Sequence, residues 1–478
     1  MADLQRVGGL VNSILGADPM AIVEMEKLHE KLLMEQGCLR ESVRVAGEEG
    51  LTVHVAQMTS EPGKFSLGAL HFLHAHIKQK SKHGNDPMEL VETVSKILFF
   101  QSTRQFVLDS PDDFAQRVLS AGKSVPQMYA DVCRMFAQTA VDLETFAEGI
   151  EPLLRACHVV ANGESILTPS HQEVIRLCLK CRQLDVAKSL LDAPIFGVNP
   201  VTTGLVPKDF LLYFYYGGMT YAARKEWASS MDFFTQCINT PADGLSSIVV
   251  EAHKYWTLVS LFLQKGPAPA QGWKKNNTIG GTPIHVSTSL EQTNKLYVNL
   301  NKELLEASEG KAGSEKKCNI FIEDNVMTFT EDRTIGLVRQ AQTWIYRRRM
   351  QRLTATYLTL SISAIASVTG VVESDVEPSI RAMIEDGSIY ASVDESSSMV
   401  SFLENPQTYT GKGSIALMEE RMKECAALAE RVANVEAKVL TDSKYIENAV
   451  IEDKRKTSQA SSKADDSSAM DISMVMDD

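Results

Sequence analysis

The strongest constraint on the fold is a repeated helical pattern in which each helix has one apolar face and needs a neighbour. In HQEVIRLCLKCRQLDVAKSLLD (171–192), apolar residues recur at three- and four-residue spacing, which predicts two helices with a break near Gln183. Residues 209–241 and 248–266 repeat the pattern. Helix pairs of roughly 35–40 residues that cannot bury their own faces predict a mainly α, tetratricopeptide-like solenoid with degenerate repeats.

Length, charge and apolar runs limit the class of protein. A chain of 478 residues is too long for one ordinary core, so two or three units are expected. The N-terminal residues lack the basic end and apolar run of a signal peptide, and YWTLVSLFL is too short to span a bilayer. We therefore expect a cytoplasmic and nuclear protein without a membrane partner. The eight scattered cysteines are expected to be free thiols.

The segment 358–403 has the outline of a winged helix. Residues 358–370 and 374–387 each predict a short helix, and Gly387 fits the left-handed position after the second one. Ser374 and Glu377 have the spacing of a capping box, although Pro378 could instead mark the first helical turn. Two short strands, 388–393 and 399–403, follow across a polar turn.

The charge of this winged helix argues against DNA binding. Between Glu373 and Leu403 there are seven acidic residues and one base, Arg381, a net charge of −6. Phosphate neutralisation dominates DNA affinity, so a surface of this sign is repelled. The edge of a small sheet can instead pair with a strand of another protein. The pattern therefore favours a protein contact and no direct nucleic-acid partner.

A long amphipathic helix is predicted over 414–440. Its apolar stripe has nearly heptad spacing and contains Met418, Met422, Cys425, Ala429, Val432, Val435 and Val439. Such a stripe needs a partner, and docking within the chain and docking on another chain are both open. Residues 446–478 form an acidic, serine-rich tail that is expected to be disordered.

Three motifs resemble catalytic or ligand sites but fail in detail. His74-x-His76 with Asp86 lacks the spacing of an HxH zinc peptidase, and alternate residues of a helix point about 200° apart. Cys178 and Cys181 have no second ligand pair, and AGKS (121–124) lacks the first glycine of a phosphate loop. We therefore expect no catalytic residue, no metal and no cofactor.

One basic cluster stands out on a predicted helix. It contains Arg347, Arg348, Arg349 and Arg352. A solvated face paired with acids elsewhere, a protein partner and a polyanion are all compatible with such a cluster.

Helical repeats, a winged helix and a terminal helix in this order resemble PCI-domain proteins, which are subunits of the proteasome lid, the COP9 signalosome and translation initiation factor three. YFYYGGMTYAARKEW, FTEDRTIGLVRQ, YRRRMQRLTATYLTLS and MIEDGSIYASV are similar, in this order, to the signalosome subunit-three family. The similarity covers about residues 165–405. A lid subunit and a nucleic-acid-binding PCI adaptor remain the alternatives.

The resemblance implies a scaffold without catalytic activity, which supports cullin deneddylation by a JAMM-motif subunit and so acts indirectly on cullin-RING ligases. It also implies partners among the other signalosome subunits. The expected units are helical repeats (1–205), a PCI domain (206–405, with a helical part 206–340 and a winged helix 341–405), a bundle helix (406–445) and the tail (446–478). The interface residues that it implies on the strands are Ile389, Ala391, Val393, Val400 and Phe402, beside those of the terminal helix.

Overall fold

The structure is a computed structural model of the chain. It describes residues 22–34, 118–263, 284–403 and 412–441, apart from gaps at 164, 242–243, 311–312 and 395–397, with isolated residues at 14, 67–75, 100–108 and 443–451. The chain divides into two compact units, Met1–Ser401 and Phe402–Asp478.

The first unit begins with a run of helices that pack on one another in chain order. These helices are α1 (Ile22–Met34), α2 (Val125–Asp142), α3 (Phe146–Ala161), α4 (Pro169–Cys181), α5 (Leu184–Asp192), α6 (Pro200–Thr203), α7 (Pro207–Ala223), α8 (Trp227–Asn239) and α9 (Ser247–Phe262), with a 3-10 turn at Leu119–Ala121. Helix α3 packs on α4, α4 on α7, α7 on α8 and α8 on α9. This stacking confirms the predicted solenoid.

The break predicted near Gln183 separates α4 from α5. Arg182 ends α4 in the left-handed conformation with φ 61°, and Gln183 precedes the first residue of α5. The apolar spacing restarts after this turn, so both helices bury their stripes; Val174, Leu177, Cys178 and Ala187 are each 0% exposed. Cys178 is thus a core residue, as the stripe predicts.

A second group of helices continues the stack. They are α10 (Ile284–Thr293), α11 (Lys295–Ser308), α12 (Ser314–Asp324), α13 (Val326–Glu331) and α14 (Ile335–Thr354). Residues 264–283, between α9 and α10, lie outside the described residues. Tyr297 of α11 packs edge-on against Phe329, and its hydroxyl donates to Asp332 Oδ2 at 2.7 Å. These contacts join α11 to α13 and to the residue that ends it.

The winged helix follows α14. Its elements are β1 (Thr359–Ser361), α15 (Ile362–Thr369), α16 (Glu373–Glu385), β2 (Ala391–Asp394) and β3 (Met399–Phe402). The sheet order is β1-β3-β2, and β1 runs antiparallel to β3 with Leu360 opposite Val400. Gly387 has φ 65°, the left-handed conformation that its sequence position predicts.

Two local expectations in this region are wrong. Residues 359–361 form a strand rather than part of a helix, and Leu358 at the start of the predicted helix is 83% exposed. Helix α15 starts only at Ile362, because the Ser361 hydroxyl accepts from the Ala364 amide at 3.3 Å and caps it there. The capping box at Ser374 is also absent, since α16 already begins at Glu373.

The second unit contains α17 (Lys412–Thr441), a helix of 30 residues. Its length follows from strong helix formers such as Ala, Glu, Lys and Met and from the absence of an internal proline. The helix spans the whole of the segment predicted over 414–440.

Candidate assembly surfaces

The residues expected at the sheet interface fall into two groups. Ile389 is 4% exposed and Val400 is 0% exposed, so both side chains are buried within the chain. Ala391, Val393 and Phe402 are half-buried. Alternation along β2 places Ala391 and Val393 on one face and the exposed Ser392 and Asp394 on the other.

The sheet offers a partner its backbone as well as these side chains. In the order β1-β3-β2, the central strand β3 has a neighbour on each side, and β1 and β2 each have one within the described sheet. An edge strand carries N–H and C=O groups that another strand can pair with. The turn between β2 and β3, residues 395–397, lies outside the described residues.

Helix α17 keeps its apolar stripe exposed. Met418 is 49% exposed, Met422 71% and Val432 61%, and Cys425 is also exposed. Val435 and Val439 are 56% and 43% exposed. Full burial of one such Met or Val side chain would contribute about 1.5–3 kcal/mol, which makes the stripe a candidate surface for another protein segment.

His71 and His74, at and next to the HxH pattern, are buried together with His29. His29 Nδ1 lies 3.0 Å from His71 Nε2, and His29 Nε2 lies 2.9 Å from Ser124 Oγ. Burial lowers the pKa of His71 to about 3, helped by repulsion from His29 and His74. His74 is 3.6 Å from Asp131. His76 and Asp86 of the HxH pattern lie outside the described residues.

The other near-motifs also have structural explanations. Cys178 and Cys181 are free thiols one helical turn apart, and Cys181 Sγ donates to the Cys178 carbonyl. Residues 121–124 run from the end of a 3-10 turn to the start of α2, whereas a phosphate loop connects a strand to a helix. Among the described residues, no group of three or more metal-ligating side chains comes together.

The charged surface of the winged helix matches its sequence. On α16, Glu373, Asp375 and Glu385 are exposed, and the Arg381 guanidinium donates to Glu377 Oε1 at 2.6 Å. An acidic second helix would face phosphates with the wrong sign.

The basic cluster on α14 is largely engaged inside the chain. Arg347 pairs with Asp386 at 2.8 Å, and Arg349 pairs with Glu315 at 2.8 Å. Arg348 is 3% exposed, whereas Arg352 is exposed. These partners lie 34–39 positions away in the chain, so the arginine run alone could not identify them.

The hydropathy of the helices adds one further observation. Over the parts of the chain that the structure describes, none of the helices combines the length and the apolar character needed to cross a bilayer.

Comparison with known families decides where the chain belongs. The family model for the N-terminal helical repeats of COP9 signalosome complex subunit 3 matches residues 25–270, more than half of the chain. The chain belongs to the COP9 signalosome subunit 3 family. A PCI-domain model matches residues 319–404, which include α14 and the winged helix.

Two curated members of the subunit 3 family extend the match. COP9 signalosome complex subunit 3 of Drosophila melanogaster is 28% identical over 408 residues, which cover 82% of this chain and 85% of the relative. The Arabidopsis thaliana protein of the same name is 28% identical over 320 residues, or 66% of this chain and 70% of the relative. The predicted resemblance is confirmed, and these comparisons give no support to a proteasome-lid assignment.

Proposed function

We propose that the chain is a non-catalytic scaffold subunit of the COP9 signalosome. In this role it supports cullin deneddylation, and so the regulation of cullin-RING ubiquitin ligases, by holding the PCI and JAMM-motif subunits together. The catalytic residues belong to another subunit, and the site of action is the cytoplasm and the nucleus. The proposal includes no direct nucleic-acid or membrane partner.

The observation that carries the proposal is the exposed apolar stripe of α17. Met418, Met422 and Val432 are among the residues that remain about half exposed or more. The family membership supplies the assembly in which such a stripe would be buried. We assign the stripe to contacts with helices of neighbouring subunits and the winged-helix sheet to PCI–PCI contacts, with unit boundaries near residues 205 and 405.

A double substitution on the stripe tests this assignment. Val432→Asp with Val435→Asp is expected to reduce recovery of the other signalosome subunits at least about tenfold, because burying one unpaired carboxylate costs more than 1.4 kcal/mol. The measurement is affinity purification of the tagged full chain followed by quantification of the co-purified subunits. Circular dichroism of the isolated chain checks that the helical content is unchanged.

A matched control lies on the same helix. Ala427→Asp with Asn434→Asp adds the same charge on the opposite face, since these positions are rotated well away from the stripe at about 100° per residue. The control is expected to co-purify like the wild type. Full recovery of the complex with the Val432 and Val435 variant would remove α17 from the assembly.

A further inference from the structure

Two arginines of the basic cluster bind the C-terminal ends of both helices of the winged helix. Arg349 Nη1 donates to the Thr369 carbonyl at 2.8 Å, and Thr369 is the last residue of α15. Arg347 Nη1 donates to Asp386 Oδ2 at 2.8 Å, and Asp386 directly follows α16. Helix α14 thus holds the winged helix at two points, upstream of the strand β1.

Arg349 also reaches back to the helical stack. Its Nε and Nη2 donate to the Ala307 carbonyl at 3.1 and 2.9 Å, near the end of α11. Its Nη1 pairs with Glu315 in the first turn of α12, and Glu315 accepts from the Tyr346 hydroxyl at 2.8 Å. One guanidinium therefore joins the ends of α11, α12 and α15.

The chemistry of this junction requires arginine. The last carbonyls of a helix lack intrahelical donors and carry partial negative charge, which a cation stabilises. The guanidinium has donors in a fixed fork, so Arg349 can bind two carbonyls and a carboxylate at once. A lysine ammonium is a point charge and cannot reproduce this fork. The Arg349 side chain is only 11% exposed, so solvent screens these bonds weakly.

The turn after α15 packs against the Arg349 guanidinium. Gly370 has φ 80°, and a Cβ placed there would lie 3.4 Å from Arg349 Nη1 and 3.5 Å from Glu315 Oε2. The backbone of this turn therefore lies in contact with the ion pair.

We propose that Arg349, assisted by Arg347, is a positioning residue that fixes the winged helix on the helical stack and so orients its sheet for assembly. This inference rests on the proposed function, because assembly is what the orientation serves. By this proposal the basic cluster joins the winged helix to the helical stack within the chain and is not a site for a polyanion.

Arg349→Lys in the full chain tests the junction. Loss of the fork is expected to speed amide hydrogen exchange over 362–370 about tenfold, because the charge-assisted hydrogen bond to the Thr369 carbonyl at the end of α15 is weakened. Exchange in α4 and α7 should stay unchanged. Recovery of the other signalosome subunits should fall by a factor on the order of ten.

Arg352→Lys is the matched control, because Arg352 lies on the same helix and is exposed. It should change neither exchange nor recovery. Asp386→Asn removes only the contact between Arg347 and Asp386, which lies at the surface. It is the second variant, to be used if Arg349→Lys does not fold. It should raise exchange near the end of α16 by about twofold, the scale of an exposed ion pair.

These measurements distinguish a failure of the positioning role of Arg349 from a failure of the proposed scaffold function. Unchanged exchange over 362–370 in Arg349→Lys, or faster exchange with full recovery of the complex, would overturn the positioning role. In the second case the junction exists but does not orient the sheet for assembly. If even the wild-type chain recovers no signalosome subunits, the proposed function fails, and exchange in the isolated chain still reports on the junction.

Discussion

Gly218→Ala is expected to lower the free energy of unfolding by about 3 kcal/mol, the upper range for overpacking a buried site. A Cβ at Gly218 would lie 2.7 Å from Phe234 Cε1 and 2.8 Å from Cδ1. The Phe234 ring is 0% exposed and cannot move aside. The Ser230 hydroxyl also donates to the Gly218 carbonyl at 2.8 Å, which holds α8 against α7 at this point. Urea unfolding followed by circular dichroism measures the change.

Substitutions at two other glycines serve as comparisons for Gly218→Ala. Gly217→Ala meets Phe233 Cδ1 at 2.6 Å, but Phe233 is only partly buried, so a smaller loss of about 1–2 kcal/mol is expected. Gly336→Ala places its Cβ in open space within α14 and should stabilise the chain by up to about 1 kcal/mol. Equal effects at Gly218 and Gly336 would show that α7 and α8 are not packed this closely.

Mild acid is expected to destabilise the chain by on the order of 5 kcal/mol between pH 7 and 5. Burial lowers the pKa of His71 to about 3 and the pKa values of His171 and His253 to about 4, from an ordinary value of 6.5. Below pH 6.5 the unfolded chain therefore binds protons that the folded chain does not. Stability is complete above this pH and falls by about 1.4 kcal/mol per pH unit for each histidine.

The pH dependence can be assigned by substitution. His253→Gln keeps an acceptor for the Asn294 amide, 3.1 Å from His253 Nδ1, and should reduce the slope of stability against pH by about one third. A stability that is flat between pH 7 and 5 would show that these histidines are hydrated in the folded chain.

The sequence predicted the helical part of the fold because each helix carries its own periodic signal. The stripe of α4, the turn at Arg182 and the length of α17 all follow from local spacing. The match to the subunit 3 family likewise rested on local segments. These features need no knowledge of distant contacts.

Features that depend on distant contacts were missed or left open. Strand β1 has three residues, too few for an alternating pattern, and it exists because β3 pairs with it 40 positions later. The roles of Arg347 and Arg349 depend on Asp386, Glu315 and two helix ends that the arginine run does not reveal. The interface residues remain predictions, because a single chain does not show which other chain would cover them.

Affinity purification of the tagged chain measures whether this protein is a signalosome subunit. The other subunits of the COP9 signalosome are expected to be recovered in stoichiometric amounts. Recovery of proteasome-lid or initiation-factor subunits in their place would contradict this expectation.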